Sequence, residues 1–229
     1  MDLPSEIGVM VLPNAILFPH TILPLYIFEP RYRTMLADAL ATHRMFSVAM
    51  QHPDRVRETP TEVAGIGLIR ASVENKDGTS HLIVQGLTRI QLGKQTQSKP
   101  YRVHQIEVLP AAPANPVTAD ALMGKARELV ALIFDEGLYP GAEIIQKVPG
   151  DETSSPVDAQ TAESYKQFLR QIEKIEEPEI FVDAIGGMLL TSPAERQVLL
   201  ETPAIEERLK HLVHFLLAVI KRARNTGKK

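Results

Sequence analysis

The chain has 229 residues, 44% hydrophobic and 23% charged; these are ordinary globular proportions, which exclude wholesale disorder, collagen and coiled coil and allow one large domain or two small ones. Cysteine is absent, which removes disulfide frameworks, thiolate zinc sites and thiol catalysis together. The net charge of −3 is uneven: residues 1–110 carry 11 basic and 10 acidic side chains, residues 111–220 carry 9 and 18, and the last nine residues add five bases, so only the tail has the basic surplus that nucleic-acid binders spread over a face or domain.

The opening MDLPSEIGVMVLPN holds two acids and no base, unlike the basic start and unbroken apolar stretch of a secretory leader. No run reaches the roughly 18–20 apolar residues of a membrane span, and a cytoplasmic location is expected. The Phe18–Phe28 stretch is rich in proline and apolar residues. Proline cannot donate to a ladder, so this stretch is expected to be loop-like and not a central strand. A helix follows from Pro30, which suits a first helical position. Tyr32, Met35, Leu36, Ala39 and Leu40 recur at helical spacing, and the helix is expected to end near His43.

Met45–Met50, Glu62–Glu74, Thr79–Lys94 and Tyr101–Leu109 alternate or run apolar over strand lengths. Asp77-Gly78 predicts a tight hairpin turn between the second and third of these. Gly65 and Gly67 inside a strand pattern predict a bulge or sharp bend, with Gly86 a further candidate. Ala111–Thr118 is small and proline-bearing, the best candidate boundary.

Past it the pattern is helical. Leu122, Ala126, Leu129, Val130, Ile133 and Phe134 line one face, and Tyr165, Phe168, Leu169, Ile172 and Ile175 form a second stripe. Between them Tyr139–Gln160 is too long for an ordinary connection. Three helices are then predicted: Ile180–Leu190, one begun by the capping box Ser192-Pro193-Ala194-Glu195, and a last one introduced by Thr202-Pro203. The basic end reads as a solubilising tail.

Catalytic motifs do not emerge. Gly93, Gly124 and Gly227 precede lysine but lack the upstream glycine and the following hydroxyl of a phosphate loop. Gly-x-Ser-x-Gly and Ser-x-x-Lys are missing, and no histidine is followed by glutamate. His211 and His214, with Glu207 a turn earlier, could share a helix face, but the bland reading is partly exposed histidines beside a packed stripe. No cofactor, metal site or catalytic residue is expected.

The segment VLPNAILFPHTILPLYIFEPRYRTML (Val11–Leu36) resembles the opening of the Lon N-terminal domain family. The spacing of Leu12-Pro13, Phe18-Pro19, Pro24-Leu25 and Phe28–Arg33 carries the likeness. Gly65–Leu92, ending in Gly86-Leu87-Thr88-Arg89, and Arg196–Leu212 are similar to later parts of the same family. The resemblance implies an α+β fold: a PUA-like pseudo-barrel over residues 1–112, an α-helical bundle over 119–223, and a basic tail at 224–229. In full-length Lon this region helps select and hold substrate polypeptides ahead of an ATPase and a serine–lysine protease, and neither module has room or motif here. The implied protein is a stand-alone, non-catalytic binding module for unfolded or apolar polypeptide segments, with a protease or chaperone as a further partner.

Such binding needs exposed apolar surface or an unpaired strand edge. The candidate contact residues are Phe18, Pro19, Ile22, Pro24, Tyr26, Phe28, Arg31 and Tyr32. A competing reading has Phe18, Leu25 and Phe28 plugging the barrel end, with the prolines fixing its path. The alternative function is nucleic-acid binding on a PUA-like fold, which the net charge and few aromatics disfavour.

Overall fold

The computed structural model describes residues 2–55, 57–138, 167 and 170–226. They fall into two units, one of Met1–Ala111 with Arg196–Pro203 and one of Ala112–Glu195 with Ala204–Lys229. Tyr139–Gln160 and the stripe residues Tyr165, Phe168 and Leu169 lie outside the described residues.

In the first unit six strands form one sheet: β1 (Glu6–Leu12), β2 (Ile22–Ile27), β3 (Met45–Met50), β4 (Val63–Glu74), β5 (Ser80–Gln97) and β6 (Arg102–Val108), in the order β2-β5-β4-β3-β1-β6. β5 also pairs with β6, which closes β5, β4, β3, β1 and β6 into a ring. β1 and β3 run parallel; the other pairs are antiparallel.

Period-two alternation divides the ring strands between two cores. Ile7, Val9, Val11, Met45, Ala49, Ala64, Ile66, Leu68, Ile90 and Leu92 fill the interior of the ring. Met10, Phe46 and Val48 point the other way, against Tyr32, Met35, Leu36 and Ala39 of helix α1 (Pro30–Ala41). β3 is therefore buried on both faces, and MFSVAM is nearly continuous in apolar residues for that reason.

β5 is 18 residues long and does two jobs. Its later half pairs with β6 in the ring, while Ser80–Gln85 pairs with β2 outside it. The β4–β5 turn is tight: Gly78 takes φ +77°, and Asp77 accepts from the Thr79 N–H at 3.0 Å and from its hydroxyl at 2.6 Å. The register of β4 on β5 shifts at Ile66/Gly67 and again at Ile69/Ala71.

The loop-like reading of Phe18–Phe28 is corrected: Ile22–Ile27 is a strand. Pro24 is tolerated because β2 is an edge strand, with β5 on one side and no strand beyond it among the described residues.

The helical unit holds α2 (Pro116–Asp135), α3 (Pro178–Leu189) and α5 (Ile205–Thr226). Helix α4 (Pro193–Glu201) lies between α3 and α5 in sequence, and its residues from Arg196 on belong to the first unit. Asn115 caps α2, its side chain accepting from the N–H groups of Val117 and Thr118. The Ser192 hydroxyl accepts from the Glu195 N–H at 3.4 Å, as the capping box predicts. Thr202 behaves differently from the expectation: its hydroxyl donates back to the Val198 carbonyl at 2.7 Å, and α5 starts only at Ile205. Arg222 and Arg224, near the basic end, are ion-paired to Glu195 and Glu136.

Candidate functional site

The projecting part of the sheet, made of β2 and the adjoining ends of β5 and β4, has one covered side and one bare side. Leu23, Leu25, Ile27, Leu82 and Val84 face the α1 core. By alternation Ile22, Pro24, Tyr26 and Phe28 face outward, and all four are exposed. Tyr26 sits opposite His81 and Pro24 opposite Ile83. In the next strand Val73 is opposite His81 and Ala71 opposite Ile83. The face is apolar where an outer sheet face is normally polar. Ile22 is 55% exposed, Tyr26 48%, Phe28 58%, Val73 62% and Ile83 39%. The Tyr26 ring lies 5.9 Å from that of Phe28 and 4.8 Å from that of His81, an aromatic ridge along the strand edge.

The structure separates the eight expected contact residues. Ile22, Pro24, Tyr26 and Phe28 gather on this face. Phe18, Pro19 and Tyr32 are buried and cannot meet a partner from solvent. Phe18 and Pro19 belong to a segment that passes under strand β5, and Tyr32 packs on the sheet from the inner face of α1. The plug reading therefore fits Phe18 but not the exposed Phe28. Arg31 is half-buried and already engaged, at 2.8 Å from Glu29 and 2.7 Å from Glu58. Partial burial opposes its charge, but hydrogen bonds to Glu58 and Glu29 outweigh this and raise its pKa.

Sequence reasoning missed Ala71, Val73, His81 and Ile83. Their signal was present, as apolar residues at alternate positions on both sides of a DG turn. Only the register shows that they extend the row begun by β2.

Tyr32 has a structural role. Its hydroxyl accepts from the Val11 N–H and donates to the Val11 carbonyl, both at 3.1 Å. Burial pushes its pKa up to about 12. The unfolded chain ionises this phenol near pH 10, so stability intact below pH 10 falls as pH rises toward 12, by up to roughly 2–3 kcal/mol. Tyr101, pushed up to about 12 chiefly by burial, acts in the same direction. Alkaline denaturation followed by circular dichroism is expected to show this loss, with a shallower slope in Tyr32→Phe; an unchanged slope would show that Tyr32 does not carry it.

Among the described residues, concavities lie beside α1. One of about 520 Å³ lies on the inner side, between α1 and the β4–β5 hairpin, lined by Arg33, Leu36, Leu40, Ser72 and Glu74 among others. A smaller one of about 160 Å³ adjoins Arg31, Tyr32 and Glu58. Among the described residues no cluster of histidine and carboxylate side chains could hold a metal ion, and no helix is long and apolar enough to cross a membrane.

Residues 6–218 match the family described as ATP-dependent protease La (LON) substrate-binding domain. The Lon protease of Dictyoglomus thermophilum is 24% identical over 218 residues, covering 94% of this chain and 24% of that protein. The Lon protease of Paraburkholderia phytofirmans is 28% identical over 218 residues, covering 90% and 24%. The chain thus spans about a quarter of the length of the curated relatives it matches. Among solved structures, the N-terminal domain of Mycobacterium avium complex Lon protease superposes with TM-score 0.67 at 19% identity, covering 92% of this chain and 97% of that one. A Lon N-terminal domain protein from Xanthomonas campestris gives 0.58 at 17%, covering 92% and 98%. At those identities the structural likeness establishes the α+β fold alone.

Proposed function

The chain belongs to the LON substrate-binding domain family, and from that premise we propose that it binds unfolded or apolar polypeptide segments on the outer face of β2, β5 and β4. One observation supports this most: the contiguous, solvent-facing row of Ile22, Pro24, Tyr26, Phe28, Ile83 and Val73. Exposed apolar residues cost solubility, and contiguous ones mark interaction surfaces more often than isolated ones do. Tyr26 and Phe28 offer broad contact area with few rotatable bonds, which suits them as anchors. Among the described residues no strand pairs with the outer edge of β2, and its main-chain groups are ones that an extended segment can meet. Pro24 removes one donor from that edge, which discourages unlimited strand addition between copies. The function is binding, with no chemical step performed on the bound chain, and a protease or chaperone would act on what is held.

The test is fluorescence anisotropy with a reduced and alkylated, permanently unfolded protein. Binding is expected with Kd on the order of tens of micromolar, as for a small transient interface. The double variant Tyr26→Ser, Phe28→Ser should weaken it about 100-fold, since two anchor side chains are each worth around a factor of ten or more. Its circular dichroism should match the parent, because both side chains face solvent. Equal binding by parent and variant would remove the face from the proposal, and no binding by the parent would remove the proposal itself.

A further inference from the structure

The outer face is not uniform along its length. At one end Ile22 lies opposite Gln85, and Arg70 Nε donates to the Gln85 side-chain oxygen at 2.6 Å. Arg70 is at the register shift between Ile69 and Ala71, so it reaches this face from a bulge. The next row is Pro24, Ile83 and Ala71, and the third is Tyr26, His81 and Val73, with Phe28 stacked beyond. The ionisable side chains in these rows are Arg70 and His81, both basic. The nearest acid along β4, Glu74, lines the groove on the opposite side, beside α1. Arg70 is exposed, and among the described residues no carboxylate pairs with it. Arg44 and Arg102 of this unit donate instead to the Ile69 and Glu58 backbone carbonyls, whereas Arg70 donates to a neutral side chain on this face.

We infer that the preferred occupant is a polypeptide segment with an acidic side chain next to an aliphatic or aromatic block, the carboxylate meeting Arg70 and the block covering Ile83, Val73, Tyr26 and Phe28. The inference rests on the polypeptide-binding reading and adds a direction and a charge preference to it. The guanidinium keeps Nη donors free for a carboxylate, a geometry that arginine supplies and lysine does not. Strand rise places the Ile83 row about 7 Å and the Tyr26 row about 13 Å from the Arg70 row, so the block begins about two residues of extended chain from the acid and is centred about four away. Nucleic acid fits less well: one arginine cannot track a phosphate backbone, and aliphatic side chains outnumber stacking rings in these rows.

The test titrates the full chain with labelled peptides of about twelve residues, long enough to span three rows. One carries aspartate four residues from the centre of a Leu-Phe-Ile block, one has asparagine there and one has lysine. The aspartate peptide should bind about fivefold tighter than the asparagine peptide, the effect of one exposed ion pair, and the lysine peptide should be weakest. Half-molar salt should shrink these differences. Arg70→Glu should reverse the order of the three peptides, the lysine peptide becoming the tightest. Equal affinities for aspartate and asparagine peptides, or an aspartate preference that survives Arg70→Glu, would overturn the inference while leaving the face as a polypeptide site. Failure of all three peptides, or indifference to Tyr26→Ser with Phe28→Ser, would overturn the underlying reading. A single-stranded RNA oligonucleotide that binds more tightly and displaces the aspartate peptide would overturn the class of occupant.

Discussion

Substituting alanine for Gly86 or Gly65 is expected to destabilise the first unit by more than about 4 kcal/mol, the range reserved for severe backbone conflict. A Cβ on Gly86 would lie 1.9 Å from the Phe18 carbonyl oxygen, and one on Gly65 would lie 1.9 Å from that of Leu17. In both cases the obstacle is backbone, so no rotamer change relieves it. The segment cannot retreat either: Leu17 and Phe18 are almost fully buried. It is also tied down by the His20 N–H donating to the Gly86 carbonyl and the Gly86 N–H donating to the Thr21 carbonyl, each at 2.9 Å. Urea denaturation of Gly86→Ala, if soluble, should show a midpoint far below the parent. Gly124→Ala is the control. It lies in α2 with nothing within 4 Å of a Cβ, and should stabilise by about 0.5–1 kcal/mol. A Gly86→Ala protein that melts within a few degrees of the parent would mean that the segment does not cross the sheet at that point.

Asp183→Ala is expected to cost the helical unit about 3–5 kcal/mol. Asp183 and Arg208 are wholly buried and approach to 3.6 Å, with the half-exposed Glu179 at 3.4 Å from the same guanidinium nitrogen. Removing the aspartate leaves a buried cation that has lost a full counter-charge, and its desolvation is no longer offset. The double replacement Asp183→Leu, Arg208→Met removes both charges and should recover most of the loss, because apolar side chains of similar size pack where the pair stood. Chemical denaturation of the single and double variants checks this. If the double variant is no more stable than the single one, packing around these residues, and not charge, explains their burial.

These two sites mark where sequence reading stops. Gly65, Gly67 and Gly86 are conspicuous in a strand pattern, and the register shift at Ile66/Gly67 agrees with the bend they predict. Their stricter requirement, room for the backbone of Leu17 and Phe18, depends on a segment roughly fifty to seventy positions away in the chain. Asp183 and Arg208 each look like a solvated helix charge when taken alone, and nothing local announces that they meet. β3, buried on both faces, is legible as a short apolar run of strand length, whereas β1, equally buried, resists a period-two reading because both of its faces are buried. Ile22–Ile27 resists it because both faces are apolar for different reasons, one packed on α1 and one bare.

What the chain determines locally is set by steric and hydrogen-bonding rules that act over a few residues. These cover the β-then-α order, the Asp77-Gly78 turn, the helix starts at Pro30 and Ser192, and the Pro24 that keeps β2 at an edge. The exposed face is of another kind. Which of Phe18, Tyr26, Phe28 and Tyr32 meet solvent, and whether Val73, His81 and Ile83 join them, depends on which strand pairs with which and in what register. A shift of one residue would turn each outward side chain inward, so that choice is made only when the long-range hydrogen bonds of β2, β5 and β4 form.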